Sequence, residues 1–336
     1  MTLSKSGLTG AKLREAIHAA PTERKPLIEG LLYENSVLMT SADPGLGKST
    51  TMINAIAQMS CGLPVFGVLQ VPHPLRCYYI PWERGAQEAM ERLRHMEEVI
   101  PINYENIVIK DQFICLDVTN AHHEKEIVAT MKSDTAHWPK IDLSAQDPIY
   151  ASVRGGLSGD EKASMFTRFS SKLMQEFKCA NWFNHHNVKQ SYSQDGSPII
   201  KDDPFYGSIW LKAHCTGAYF MKKSDIGTTL INKKDSHGNL LSEIQLEFDA
   251  DTYLSRAKNI NEVGLIRDRA MTFCRASFHA KNAFTFKQFF GALGGCLQGV
   301  STSYARRLLC TPPFNTILKK HKSNGGATLY EVTKAL

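Results

Sequence analysis

An eight-residue loop constrains this chain more than any other part of its sequence. It reads Ala42-Asp43-Pro44-Gly45-Leu46-Gly47-Lys48-Ser49, and it stands between a predicted buried strand and a predicted helix. The backbone N–H groups of such a glycine-containing loop can hold phosphate oxygens at the N-terminus of the helix. Lys48 would then reach the β- and γ-phosphates of a nucleotide, and the hydroxyl of Ser49 would bind Mg²⁺.

We therefore predict that this loop binds ATP together with Mg²⁺. The predicted nucleotide contacts are Ala42, Asp43, Pro44, Gly45, Leu46, Gly47, Lys48, Ser49 and Thr50. Ala42 departs from the usual motif, which has a glycine at this position. The alternative is a chance glycine turn, which the strand before the loop and the helix after it disfavour.

Two carboxylates follow later predicted strands and are candidates for chemistry beside the loop. Glu83 comes after a strand that ends near Trp82, where a carboxylate could orient water towards the γ-phosphate. The alternative for Glu83 is a solvated surface glutamate. Asp147 ends the weaker strand candidate 141–147, and we predict that it binds Mg²⁺ through a water. Asp142 is its competitor for this role.

A pair of histidines, His185 and His186, ends a predicted strand that starts at Ala180. We predict that one of them detects the γ-phosphate by a hydrogen bond and passes that state to the following loop. Both therefore join Lys48 and Glu83 as candidate catalytic residues. The alternative is a pair of ordinary polar residues. A metal site is disfavoured, because no spaced cysteine or acidic partner is evident nearby in the sequence.

Strands and helices alternate through most of the chain, which is typical of an α/β fold with a mostly parallel sheet flanked by helices. We predict an N-terminal extension (1–26), an α/β ATPase domain (27–255) and a small C-terminal domain (262–336). The C-terminal domain is predicted to contain helices at 263–279, 285–293 and 301–309, followed by strands at 316–322 and 328–332. Three helices and a hairpin follow one another in this order in a winged-helix domain.

The C-terminal domain also carries residue types that suit contact with DNA. The helix 301–309 would be the recognition helix, and the basic strand after it would form part of the wing. The predicted DNA contacts here are Ser303, Tyr304, Arg306, Arg307, Lys319, Lys320 and Lys322. The alternative is a winged helix that binds a protein and leaves this basic face in solvent.

The composition of the chain limits its expected partners and its cellular compartment. Its formal net charge of +6 is compatible with nucleic-acid binding but does not establish it. No apolar run approaches the roughly 18–20 residues that span a bilayer, so no membrane partner is expected. The start of the chain lacks an apolar signal core. The eight cysteines contain no CxxC pair, so reduced thiols in a cytoplasmic protein are expected.

An ordered set of motifs resembles RecA-like ATPases related to plasmid- and phage-encoded hexameric replicative helicases. Besides the phosphate loop, the motifs are Leu27-Ile-Glu-Gly30, Gly62-Leu-Pro-Val-Phe-Gly67, Tyr79-Ile-Pro-Trp-Glu83, Asp147-Pro148, Asn184-His-His-Asn-Val-Lys189 and Tyr206-Gly-Ser208. The similarity spans residues 27–250. The His-His-x-x-Lys pattern is more specific to this family than the phosphate loop alone.

The resemblance implies a RecA-type core in a homo-oligomeric ring, often a hexamer, with ATP bound between neighbouring subunits. It also implies that Glu83 is the general base and that the histidine pair is the sensor. The loop after the histidines would touch single-stranded DNA through Lys189, Gln190 and Lys201.

The chain departs from the family at one position. The family often has an arginine immediately before Gly-Ser, supplied to the phosphate of the neighbouring subunit, but Tyr206 stands there. A cation that acts in trans would come from elsewhere. The candidates are Lys222, Lys223, Lys233 and Lys234.

Three functions stay open from the sequence. The first is a replicative DNA helicase of a mobile element that acts on single-stranded DNA, for which a replication-initiation protein is a candidate partner. The second is a recombination ATPase that forms filaments on single strands. The third is an ATP-dependent DNA-binding loader or regulator that does not unwind and that reads duplex DNA through its winged helix. The missing arginine favours the second or third, and the winged helix favours initiation or loading over filament formation.

Overall fold

The computed structural model describes residues 9–19, 24–111, 113, 116–157, 159–187, 191–192, 198–199, 209–225, 227–238, 240–258, 270–275, 277, 282–292, 306, 309, 314–322 and 328–333. The chain divides into two compact units. One is Lys25–Asn259, and the other comprises Met1–Arg24 together with Ile260–Leu336. The first unit is slightly wider than the predicted 27–255, because its first strand already begins at Pro26.

The first unit is an α/β domain. Its strands are β1 (Pro26–Ile28), β2 (Leu32–Tyr33), β3 (Val37–Ala42), β4 (Cys77–Pro81), β5 (Ile107–Ile109), β6 (Leu143–Asp147), β7 (Ala180–His186), β8 (Ser191–Tyr192), β9 (Pro198–Ile199), β10 (Gly217–Ser224), β11 (Gly227–Asp235), β12 (Glu243–Phe248) and β13 (Ser255–Ala257). Its helices are α2 (Lys48–Ser60), α3 (Gln87–Glu97), α4 (Ala121–Asp134), α5 (Asp160–Phe177) and α6 (Ile209–His214), whereas α1 (Gly10–Ala19) belongs to the other unit.

Nine strands form the central sheet in the order β13-β12-β11-β10-β3-β7-β6-β4-β5. The six strands from β10 to β5 are parallel to one another, and β11, β12 and β13 continue the sheet with antiparallel pairs. The predicted mostly parallel sheet flanked by helices is therefore confirmed. β3 is buried along its whole length, as expected for a central strand covered on both faces.

Helices cover both faces of this sheet, and successive side chains of a strand point to opposite faces. Phe183 of β7 lies in an apolar core with residues of α4 and α5, such as Ile127 and Phe166. Asn184, the next residue, faces α2, because its Nδ2 lies 3.8 Å from Met52 Sδ. The face with α2 is the one on which the phosphate loop begins its helix.

Helix α2 ends at a glycine that adopts a left-handed conformation. Gly62 has φ +71°, and its N–H donates to the Met59 carbonyl at 3.1 Å. The N–H of Leu63 donates to the Gln58 carbonyl at 2.9 Å. These two bonds satisfy carbonyls of the last turn and require a left-handed residue, which explains the glycine at this position.

The C-terminal unit contains a small antiparallel sheet. Its described elements include β14 (Phe284–Thr285), α7 (Phe286–Ala292), α8 (Phe314–Ile317), β15 (Leu318–Lys322) and β16 (Thr328–Val332), with strand order β14-β16-β15. Residues 270–275 are also helical. Phe284 and Phe289 are buried with Phe314 in the core of this unit.

One strand boundary in this unit was predicted wrongly. The run 316–322 was expected to be extended throughout, but Phe314–Ile317 is helical and β15 begins at Leu318. Helical spacing lets Phe314 and Ile317, three residues apart, both enter the core. None of the described helices has the length and apolar composition needed to cross a membrane.

Candidate nucleotide-binding site

The phosphate loop lies between β3 and α2. Gly45 and Gly47 both have φ +82°, in the left-handed region that favours glycine. A Cβ at either glycine would meet no atom within 4 Å, so the backbone conformation and not crowding requires glycine there. Lys48 is buried, and its Nζ donates to the carbonyls of Ala42 at 2.8 Å and Asp43 at 3.0 Å. The loop is thus wrapped around the lysine that begins α2.

Three carboxylates act electrostatically on this lysine. Burial lowers the pKa of Lys48, and the negative charges of Asp147, Asp43 and Glu83 oppose that shift. Asp147 ends β6 and Glu83 follows β4, so both reach the loop from carboxyl ends of parallel strands. The structure therefore brings Lys48, Glu83 and Asp147 together at one edge of the sheet, where ligands bind in folds of this kind.

Asp147 is held in a fixed orientation by two neighbours for which the sequence predicted no role of their own. Tyr79 donates its hydroxyl to Asp147 Oδ2 at 2.9 Å, and Asn184 donates its amide to Oδ1 at 2.9 Å. Burial, followed by the charge of Asp147, raises the pKa of Tyr79 far above its ordinary value, so this hydroxyl remains a donor. Tyr79 and Asn184 could have been found from strand pairing, since β4 and β7 flank β6.

Asp142, the competitor of Asp147, lies elsewhere. It precedes β6, at the amino end of that strand. Its Oδ2 accepts the Arg76 N–H at 2.9 Å, and its Oδ1 lies 2.9 Å from Lys140 Nζ. Asp142 therefore has a structural environment at the edge of the sheet opposite to the phosphate loop.

Glu83 is exposed and lies next to an aromatic side chain. The hydroxyl of Tyr150 is 3.5 Å from Glu83 Oε1, and the Tyr150 ring packs edge-on against His186 with centroids 4.7 Å apart. Burial and the negative charge of Glu83 raise the pKa of Tyr150. Tyr150 thus joins the candidate base to the candidate sensor, a role for which the sequence offered no pattern.

The two histidines point to opposite faces of the sheet, so they do not form one site. His186 pairs in register with Ala42, and His185 with Ser41. Burial, followed by the positive charge of Lys48, lowers the pKa of His186, whereas Glu83 and Asp147 act in the opposite direction. His185 is fully buried on the other face. The structure places only His186 beside the lysine and the carboxylates.

The hydroxyl and carboxylate predicted to bind Mg²⁺ stand at the same edge. Ser49 is the second residue of α2, and Asp147 is buried with its two oxygens already fixed. Within the described part of the chain, no group of three or more His, Cys, Asp or Glu side chains is arranged to hold a metal. A hydroxyl with a single carboxylate suits Mg²⁺, which keeps several waters and shares phosphate oxygens.

The four candidate lysines for trans action separate into two groups. Lys222 and Lys223 are exposed and follow Met221, which pairs with Ala42, so they lie at the edge that carries the phosphate loop. Lys234 pairs with Ala218 near the opposite edge, and its Nζ donates to carbonyls that end α6. Lys233 is at that opposite edge as well.

Most of the predicted DNA contacts lie outside the described residues. These are Lys189, Gln190, Lys201, Ser303, Tyr304 and Arg307. Tyr206, which stands where the family often has an arginine, also lies outside the described residues. Arg306 is exposed, with its guanidinium 5.1 Å from the centre of the Phe286 ring. Lys319 and Lys320 are exposed on β15, which also contains Lys322.

Residues 7–191, more than half of the chain, match the AAA domain family AAA_25. The chain belongs to this family. The AAA domain is a P-loop NTPase domain, and the matched region includes the phosphate loop, Glu83, Asp147 and His186. One solved structure to which the fold is similar is the KaiC-like protein PH0186 from the hyperthermophilic archaeon Pyrococcus horikoshii OT3. It shows 11% identity and a TM-score of 0.47, with 71% of this chain and 100% of that chain covered. No curated protein matches this chain.

The electrostatics of the AAA domain predict an unusual titration of His186. Burial and Lys48 lower its pKa, so its NMR titration midpoint should fall below about 6.5, the ordinary value for histidine. Lys48→Met removes a lowering charge and should raise the midpoint. Lys110→Met, which removes a lysine paired with Asp134, should leave it unchanged. A wild-type midpoint at or above the ordinary value would contradict this arrangement.

Proposed function

We propose that this chain is an ATP-hydrolysing DNA motor, a replicative-type helicase of a mobile element that acts on single-stranded DNA. The observation that carries the proposal is the convergence of Lys48, Asp147, Glu83 and His186 on one sheet edge beside the phosphate loop. A site that only held phosphate would need the loop alone. A base, an oriented carboxylate and a sensor are what hydrolysis adds.

Each side chain has a distinct task in the proposed reaction. Lys48 binds the β- and γ-phosphates, and Glu83 accepts the proton of the attacking water. Ser49 and Asp147 would hold Mg²⁺, which neutralises charge on the phosphates when it is bound with ATP. His186 donates a hydrogen bond to the γ-phosphate in its neutral form, which its lowered pKa favours near pH 7.

The proposed motor contacts DNA through the segment that follows β7. Lys189 and Lys201 supply positive charge for the phosphate backbone, and Gln190 supplies a polar contact. His186 ends β7 and is separated from this segment only by Asn187. Loss of the γ-phosphate at His186 could in this way change how the segment holds a single strand.

We further propose that the active assembly is a homo-oligomeric ring, with a hexamer expected, in which each site borrows a cation from its neighbour. Lys222 and Lys223 support this part of the proposal, because both are exposed at the edge of the sheet that carries the phosphate loop. They would replace the arginine that the related helicases carry where Tyr206 stands.

The C-terminal unit is proposed to be a winged helix that binds duplex DNA. The strand order β14-β16-β15 supports this, because it attaches a short strand to a hairpin in the manner of a wing. Arg306, Lys319 and Lys320 are exposed and basic. A domain that binds duplex DNA would bring the motor to a replication origin, where a replication-initiation protein could bind it.

A loader or regulator that hydrolyses ATP without unwinding is the second candidate. Tyr206 favours it, since weak trans activation would suit a switch more than a motor. A filament-forming recombination ATPase would share the same cis site, but the proposed duplex reader does not favour it.

Two substitutions should separate nucleotide binding from hydrolysis. Lys48→Ala should abolish ATP binding, because it removes the cation at the phosphates. Glu83→Gln should still bind ATP while kcat falls at least about 100-fold, because the general base is lost. Glu126→Gln, at an exposed position on α4, is the matched control. Calorimetry, phosphate release with and without single-stranded DNA, and unwinding of a forked duplex are the measurements. DNA-stimulated hydrolysis without unwinding would reject the helicase and favour the loader or the filament.

A mixing experiment tests the borrowed cation. Lys48→Ala should be inactive, and so should the double variant Lys222→Ala with Lys223→Ala. Mixed together, they should regain hydrolysis, because some interfaces then combine an intact phosphate loop with intact lysines. Lys233→Ala, at the opposite edge, should be active by itself. Inactivity of every mixture would contradict a site shared between copies.

Charge reversal tests the winged helix. Arg306→Glu with Lys320→Glu should weaken duplex binding and reduce the slope of log affinity against log salt by about two, one for each lost phosphate contact. Lys125→Glu reverses the charge of an exposed lysine on α4 and should change neither quantity. Unchanged duplex binding by the double variant would show that this face does not hold DNA.

A further inference from the structure

Asn187, the residue after β7, is bound to the phosphate loop and to the strand before it. It is only 8% exposed, and three of its polar groups make hydrogen bonds there. Its main-chain N–H donates to the Ala42 carbonyl at 3.3 Å. Its Oδ1 accepts from Ser41 Oγ at 2.6 Å, and its Nδ2 donates to Asp43 Oδ1 at 3.0 Å.

The chemistry of the partners fixes which way the amide points. A carboxylate only accepts hydrogen bonds, so the Asn187 NH₂ group must face Asp43. A hydroxyl can donate, so the remaining Oδ1 takes the bond from Ser41. Both ends of the amide are therefore used, one as a donor and one as an acceptor.

These bonds reach the two residues that hold the catalytic lysine. Lys48 Nζ donates to the carbonyls of Ala42 and Asp43. Asn187 binds Ala42 through its main chain and Asp43 through its side chain. The Ala42 carbonyl, with two lone pairs, serves Lys48 and Asn187 at once.

We propose that Asn187 is a positioning residue of the phosphate loop, which keeps the loop in its binding conformation while Lys48 exchanges its carbonyl partners for phosphate. The inference rests on the proposed ATP site. A phosphate competes with Ala42 and Asp43 for the ammonium of Lys48, and those carbonyls then lose a strong partner. The bonds from Asn187 remain, so the loop stays anchored to the end of β7 and does not relax outward.

Asn187→Ala tests the proposal against a matched control on the same strand. Asn181 is also buried, but its Nδ2 donates to the Ser170 carbonyl and hydroxyl at the other end of β7. Asn187→Ala should weaken ATP binding about tenfold, the usual effect of losing a buried hydrogen bond to a charged group. Asn181→Ala should lower the melting temperature and leave the ATP affinity unchanged. Equal loss of affinity in both variants would overturn the proposal.

A polarity exchange provides the rescue. Asn187→Asp places two carboxylates face to face at this position and should weaken ATP binding more than Asn187→Ala does. Adding Asp43→Asn restores one donor and one acceptor in the reverse order, and most of the affinity should return. Failure of the second substitution to recover any affinity would reject the direct contact as the reason for the loss.

Hydrogen exchange separates this inference from the proposed function. Measured on the protein without nucleotide, the amides of Ala42, Asp43 and residues 45–47 should exchange faster in Asn187→Ala than in Asn181→Ala. Equal exchange would overturn the positioning role even if ATP binds. A wild-type protein that binds no ATP would reject the proposed function, while faster exchange in Asn187→Ala would still support the anchoring of the loop.

Discussion

The parallel pairing of β3 with β7 is the interaction on which the rest of the site depends. It aligns Ala42, where the phosphate loop begins, with His186, where β7 ends. β6 pairs with the other side of β7 and brings Asp147 to the same edge. The backbone hydrogen bonds of the sheet set the distances between these strand ends, so the side chains of the site are already close to one another.

A second constraint is the burial of a lysine among carboxylates. Lys48 is taken out of water by β3 and α2, and it is stabilised by two carbonyls and by the fields of three acidic residues. Such an arrangement is tolerable only when each partner has a fixed place. Tyr79 and Asn184 fix Asp147, and Asn187 fixes Asp43. The residues that orient these carboxylates are therefore as important for the geometry of the site as the residues that would contact the nucleotide.

Local patterns were enough to predict the parts of the site that belong to one segment of chain. The strand–loop–helix order around Lys48, the position of Glu83 after β4 and that of Asp147 at the end of β6 all follow from short runs of residues. The mostly parallel sheet follows from the alternation of elements. The difference between His185 and His186 was also within reach, because side chains of a strand alternate between faces.

Contacts between distant segments could not be predicted in this way. Tyr150 meets Glu83 and His186 across three separate stretches of chain, and nothing in its own neighbours in sequence marks it. The start of β15 was misplaced for a similar reason. Phe314 and Ile317 pack into a core formed by residues from other segments of the chain, and this packing favours a helical turn there. In both cases the structure is determined by packing between distant elements and not by the local conformational preference of the residues.

The alternation along β7 also limits how this protein can change over time. One extra residue between Ala180 and His186 would turn every later side chain of the strand to the other face, so His185 would meet the phosphate loop and His186 would enter the core. Asn187 would lose its hold on Asp43 in the same event. A change of length by one residue within β7 is therefore incompatible with this arrangement of the site.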